Sequence, residues 1–102
     1  MKDIKDSLVG AIRTGKIIIG SKETKNALLT GNLKLIILSK NCPEDIKGDM
    51  VYYSLLSKIP YKIVNENTKE LGSICGKPFP VSVIGIVDVG DSDILDNKSR
   101  KG

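Results

Sequence analysis

Apolar positions along the chain alternate between two periods. Ile4, Leu8, Ala11 and Ile12 recur at helical spacing, with Asp3 placed to cap the helix, Asp6 in its first turn and Gly15 suited to its end. Ile17-Ile18-Ile19 is a short apolar run of strand type. Gly20 breaks it, Ser21 offers a cap, and a second helix is expected from about 21 to 30, stopped by Gly31. Residues 33–38 read as a second strand, apolar on both faces, as in a sheet covered by helices on either side. Asn41-Cys42-Pro43 opens a third helix with proline in its first turn, followed by Glu44 and Asp45, the acidic start that the helix dipole favours. Ile46, Met50 and Tyr53, with Leu55 and Leu56 beside them, give it a wide apolar stripe, and Ile59-Pro60 ends it. Residues 61–64 form a third strand, Asn65-Glu66-Asn67 a turn, and Thr68 a cap for a short fourth helix. That helix turns Leu71, Ile74 and Cys75 inward and stops at Gly76. Residues 81–87 are the last strand, Gly90-Asp91-Ser92-Asp93 turns the chain, and the tail 97–102 is expected to fray.

The order αβαβαβαβ predicts a single α/β domain over residues 1–102, a three-layer α/β/α sandwich around a small sheet. Right-handed crossovers would make much of that sheet parallel. Ligands of such sheets sit beyond the carboxyl ends of the strands, which here means the loops 20–25 and 39–42. If the last strand runs antiparallel, its leading loop, 76–80, joins the same edge.

Composition removes several function classes. The chain has no histidine, so Ser-His-Asp triads, Cys-His pairs and histidine-ligated metals are excluded. Its two cysteines, Cys42 and Cys75, are far apart and read as buried small apolar side chains, with a disulfide between them the other reading. No cofactor is expected. No apolar run reaches bilayer length and no signal peptide is visible, so neither a membrane partner nor secretion is expected. Sixteen basic against twelve acidic residues give a net charge of +4, a mild pointer to an anionic partner.

Three loop segments carry candidate chemistry. Lys22 and Lys25 stand in the opening turns of the second helix, where the dipole already supplies positive charge. They read either as solvated surface lysines or as contacts to nucleic-acid phosphate or base edges, beside exposed N–H groups and a Gly20 that allows close approach. Glu23 fits a base amino group or a role softening the lysines. The spacing is not that of a Walker phosphate loop. Asn41 fits a helix cap or turn, or a base-edge contact from the strand exit. Gly76-Lys77-Pro78-Phe79-Pro80 sets the only phenylalanine of the chain between prolines and beside a lysine. It suits either the core or stacking on an unpaired base. Tyr52 and Tyr53 read as core and rim of the third helix.

Together GKIIIGSKET, LIILSKNCP, the YY pair, ELGSICGKPF and GDSDIL, in this order over nearly the whole chain, resemble the archaeal and eukaryotic L30e family of large-subunit ribosomal proteins. That family lies within the wider group of kink-turn RNA binders that includes L7Ae. The resemblance implies a mixed four-stranded sheet between helices and a non-catalytic role in the cytoplasmic ribosome, binding a sharply bent internal loop of ribosomal RNA. It implies a free monomer that meets other large-subunit components on assembly. It places RNA contacts at Gly20, Ser21, Lys22, Glu23, Lys25 and Asn26, at Asn41, and at Gly76, Lys77, Pro78 and Phe79. Gly72, in Glu70-Leu71-Gly72, allows close packing near the RNA surface. Two positions depart from the family: Asn26 stands where many relatives carry lysine, and Pro80 where some carry arginine. Two other readings stay open: a protein-interaction module on the same fold, which the basic charge disfavours, and a small phosphate-ligand enzyme, which the missing histidine disfavours.

Overall fold

A computed structural model of the chain describes residues 4–90. The elements follow in the order α1 (Ile4–Thr14), β1 (Lys16–Ile19), α2 (Ser21–Thr30), β2 (Leu35–Leu38), α3 (Glu44–Ser57), β3 (Tyr61–Ile63), α4 (Thr68–Ile74) and β4 (Val83–Asp88). The expected alternation is present. The expected cap at Asp3, the GDSDIL stretch beyond Gly90 and the tail 97–102 lie outside the described residues.

The four strands form one sheet in the order β1-β4-β2-β3. β4 is antiparallel to both β1 and β2, and only β2 and β3 pair in parallel. The mixed four-stranded sheet that the resemblance implies is present, and the largely parallel sheet expected from right-handed crossovers is not. The reason is that β4 enters from the opposite end and lies between β1 and β2, which run the same way.

Each face of the sheet carries its own core. Leu35, Ile37, Ile84 and Ile86 pack with Leu8 and Ala11 of α1 and Leu71 of α4. Ile36, Leu38 and Val83 pack with Ala27 and Leu28 of α2 and Met50 of α3. β2 is buried at all four positions because helices cover both of its faces. This is the predicted α/β/α sandwich.

Helix starts depart from the expectations. Gly20, not Ser21, is the N-cap residue of α2, and no side chain caps that helix. Pro43 is the N-cap residue of α3 rather than a residue of its first turn. Thr68 is the first residue of α4, and Asn67 caps it. The Asn67 side chain accepts from the Glu70 N–H at 2.9 Å, and Glu70 Oε1 accepts from the Asn67 N–H at 2.8 Å. This reciprocal box could have been read from Asn67 and Glu70 three residues apart. Asn67→Ala is expected to destabilise the protein by about 1 kcal/mol. Circular dichroism melting should register this as a fall in Tm of roughly 4–8 °C.

The stripe on α3 is narrower than its sequence suggests. Met50 is buried and Ile46 and Tyr53 pack partly, but Tyr52, Leu55 and Leu56 are exposed. Helical geometry explains this. Apolar residues surround the second half of α3, and one side of a helix can face the sheet while the opposite side faces solvent.

Candidate nucleic-acid interface

The direction of β4 brings the three loop segments to one edge. β1 and β2 leave the sheet there, and β4 enters it. The Gly20 N–H donates to Val83 O at 3.0 Å, and the Ser39 N–H donates to Ser82 O at 3.0 Å. The strand-one exit, the strand-two exit and the lead into β4 are thus tied by backbone bonds. Between the strand-one exit and the lead into β4 lies a groove of about 490 Å³ whose lining includes Gly20, Ser21, Ile46, Lys77, Phe79 and Ser82 but no residue of 39–42.

At the first segment, Gly20 has φ 108°, a backbone that residues with a Cβ rarely adopt, and an added Cβ would meet nothing within 4 Å. The open space in front of it leaves room for a ligand. The first N–H groups of α2 have no acceptor inside the helix, and no side chain takes their place. Lys22, Glu23 and Asn26 are exposed, Ser21 half-buried. Lys25 is held differently. Its Nζ lies 4.9 Å from the ring centroid of Tyr53, whose ring meets Tyr52 edge-on at 5.1 Å. Lys22 therefore extends into solvent at the rim, while Lys25 leans on the flank of α3. Tyr53, which reads from sequence as core or rim of the third helix, joins this neighbourhood; tyrosine and lysine on different helices carry no local signal of contact.

At the second segment, Asn41 does not cap α3. Its Oδ1 accepts from the Thr68 N–H at 2.9 Å, 27 residues away, at the start of the helix that Asn67 caps. The Lys40 N–H donates to Glu66 O at 2.9 Å and holds the same loop. With its oxygen engaged, the Asn41 amide offers its two N–H donors to a ligand. The expected cap of α3 is thus corrected to a bond at the start of α4.

At the third segment, Phe79 is 51% exposed, which settles against a place in the core. Lys77, Pro78 and Pro80 are exposed beside it, and Gly76 has φ 74° just past the end of α4. The loop is held by Gly72, which is buried. The Lys77 N–H donates to Gly72 O at 2.9 Å, and a Cβ on Gly72 would collide with the carbonyl oxygen of Phe79. Gly72 thus acts by letting the loop lie flat on α4, and it presents no surface of its own.

The edge carries no catalytic equipment of the thiol kind. Cys42 and Cys75 are both free. Burial pushes each thiol above its ordinary pKa, opposed by Lys47 at Cys42 and by Lys77 at Cys75. Both stay protonated near neutral pH and are poor nucleophiles. Among the described residues no cluster of His, Cys, Asp or Glu could hold a metal ion, and no helix is long and apolar enough to cross a membrane.

What the edge offers is donors and one half-exposed ring: lysines, uncapped helix N–H groups, an oriented amide and Phe79. Comparison with known proteins gives the family of the chain. A solved Bacillus halodurans protein of unknown function is similar, with a TM-score of 0.79 and 30% identity over 94% of this chain and 96% of that one. Large ribosomal subunit protein eL30 of Methanothermobacter thermautotrophicus is 46% identical over 92% of this chain and 96% of that protein. Its counterpart in Methanosphaera stadtmanae is 45% identical, over 94% and 98% respectively. Residues 2–96 match the model of the Ribosomal protein L7Ae/L30e/S12e/Gadd45 family, and the chain belongs to that family.

Proposed function

We propose that this protein is a non-catalytic constituent of the large ribosomal subunit that grips a kink-turn-type internal loop of ribosomal RNA with the edge described above. The observation that carries the reading is the convergence of three loop segments on one side of the sheet, through the bonds from Gly20 to Val83 and from Ser39 to Ser82. The eL30 relatives are large-subunit proteins by name, which supports the ribosomal setting. The roles follow from the chemistry. Lys22 meets phosphate or guanine edges beside the positive end of α2. Glu23 accepts from a base amino group, and Asn41 donates to a base edge or backbone oxygen. Phe79 stacks on a base turned out of the helix, with Lys77 near its phosphate. Specificity is largely one of shape, since an RNA already kinked costs less to bend than a regular duplex.

A gel-shift titration at fixed salt tests this. The protein is expected to shift a kink-turn RNA at concentrations where a straight duplex of equal length remains free; equal affinity for both would overturn the reading. In the same assay, Phe79→Ala should weaken binding by about 1–3 kcal/mol through lost stacking. Its melting curve should overlay the wild type, because half of the ring is already in water.

A further inference from the structure

Away from the rim, the second half of α3 turns apolar side chains to solvent. Tyr52, Leu55 and Leu56 are 60%, 69% and 62% exposed. From Met50 to Ser57 there is no Asp, Glu, Lys or Arg. β3 follows α3 through residues 58–60, next to the β2 that α3 covers, and is an edge strand of the sheet. Tyr61 and Ile63 pair with Ile36 and Leu38. They therefore share the face of the sheet that α2 and α3 cover, and both are exposed. The backbone of β3 is open as well. Pro60 O accepts from Ile36 N–H, and Val64 N–H donates to Leu38 O. A parallel ladder bonds alternate residues, so the N–H and C=O groups of Tyr61 and Ile63 point away from β2.

Gly48 adds an independent sign of close approach. It lies inside α3, two turns before Leu55, on the same side of the helix. An added Cβ there would meet nothing within 4 Å. Glycine at such a position destabilises a helix relative to alanine. Packing among the described residues gives no reason for it, whereas a chain passing close over α3 does.

We propose that the α3 stripe and the β3 edge together receive an extended segment of a neighbouring ribosomal protein, aliphatic at alternate positions and acidic close by. The segment adds a strand to β3 and lays its side chains against Leu55 and Tyr52. Charge selects this occupant. The stripe lacks the cations that RNA requires, and the one lysine at the seam between α3 and β3, the exposed Lys58, calls for an acidic neighbour. A second copy of this chain would bring another net charge of +4, and another Lys58, to the contact. Strand addition to three residues is weak alone, and the apolar stripe supplies the rest of the contact.

The proposal rests on the ribosomal placement above, and its test separates the two. The full chain is produced in an archaeal host with Leu55→p-benzoylphenylalanine or, separately, with Phe79→p-benzoylphenylalanine, and large subunits are isolated and irradiated. Position 55 is expected to yield an adduct with a ribosomal protein through a segment of the stated composition, and position 79 an adduct with ribosomal RNA. An adduct from position 55 to RNA or to a second copy overturns the proposal. So does no adduct from position 55 while position 79 crosslinks. If neither variant enters the subunit, the ribosomal placement fails and takes the proposal with it. As a second measurement, Leu55→Glu with Ile63→Glu should lower incorporation in competition with wild type by at least about fivefold. Kink-turn affinity in vitro should stay unchanged; unchanged incorporation would overturn the proposal.

Discussion

Removing both Lys22 and Lys25 by substitution with alanine is expected to weaken kink-turn binding by roughly 20-fold at 0.15 M salt. The estimate takes each lysine as one phosphate contact, with log K falling by about 0.7–0.9 per contact for each unit of log salt. The salt dependence itself should flatten by the sum of two such slopes. The two lysines are not equivalent in the structure. Lys22 is exposed at the rim, while Lys25 stands over the ring of Tyr53. Lys22→Ala alone should therefore lose affinity without loss of stability. A cation over a ring contributes about 0.5–1 kcal/mol at an exposed site, so Lys25→Ala should also lower stability slightly. Titrations at several salt concentrations, read beside melting curves, separate the two roles. Unchanged affinity in the double variant would remove the rim from RNA recognition.

Gly72→Ala is expected to damage both stability and binding. The new methyl group would run into the backbone of Phe79, and a backbone carbonyl cannot turn aside as a flexible side chain can. Overpacking of this kind costs about 1–3 kcal/mol. The strain is relieved if the loop 76–80 lifts from α4, which carries Phe79 and Lys77 away from the groove. RNA affinity should then fall by about the same energy as stacking loss, on the order of 1–3 kcal/mol. Gly48→Ala is the control: its Cβ meets open space, so it should stabilise α3 by about 1 kcal/mol and leave RNA affinity alone. Chemical denaturation and gel shift on the two variants give the comparison. A Gly72→Ala protein with wild-type affinity would mean that the loop does not contact RNA.

Much of this architecture was legible in the residues because each element has strong local punctuation. Gly15, Gly31 and Gly76 mark helix ends at the places found, and the apolar runs give all four strands within two residues of their bounds. Strand direction was another matter. Nothing in residues 76–82 says which way β4 will run. That depends on whether α4 delivers the chain back to the end of the sheet it started from, a property of tertiary packing. The loops could therefore be nominated separately, but their meeting depended on an orientation that sequence left open. The exposure of Tyr52, Leu55 and Leu56 was also hidden. Periodicity shows that apolar residues surround α3, and only packing decides which of them face the sheet. Asn41 shows a third kind of gap, since its partner, the Thr68 N–H, belongs to a helix that sequence spacing does not connect to it.

β4 is the last strand among the described residues and yet occupies the interior of the sheet, bonded on one side to β1 and on the other to β2. During synthesis, every earlier element emerges before its central support exists, and β1 has no ladder at all until residues 83–88 leave the exit tunnel. The hand that would hold RNA closes only then. Such an order of assembly makes the proposed grip on RNA wait for residues 83–88.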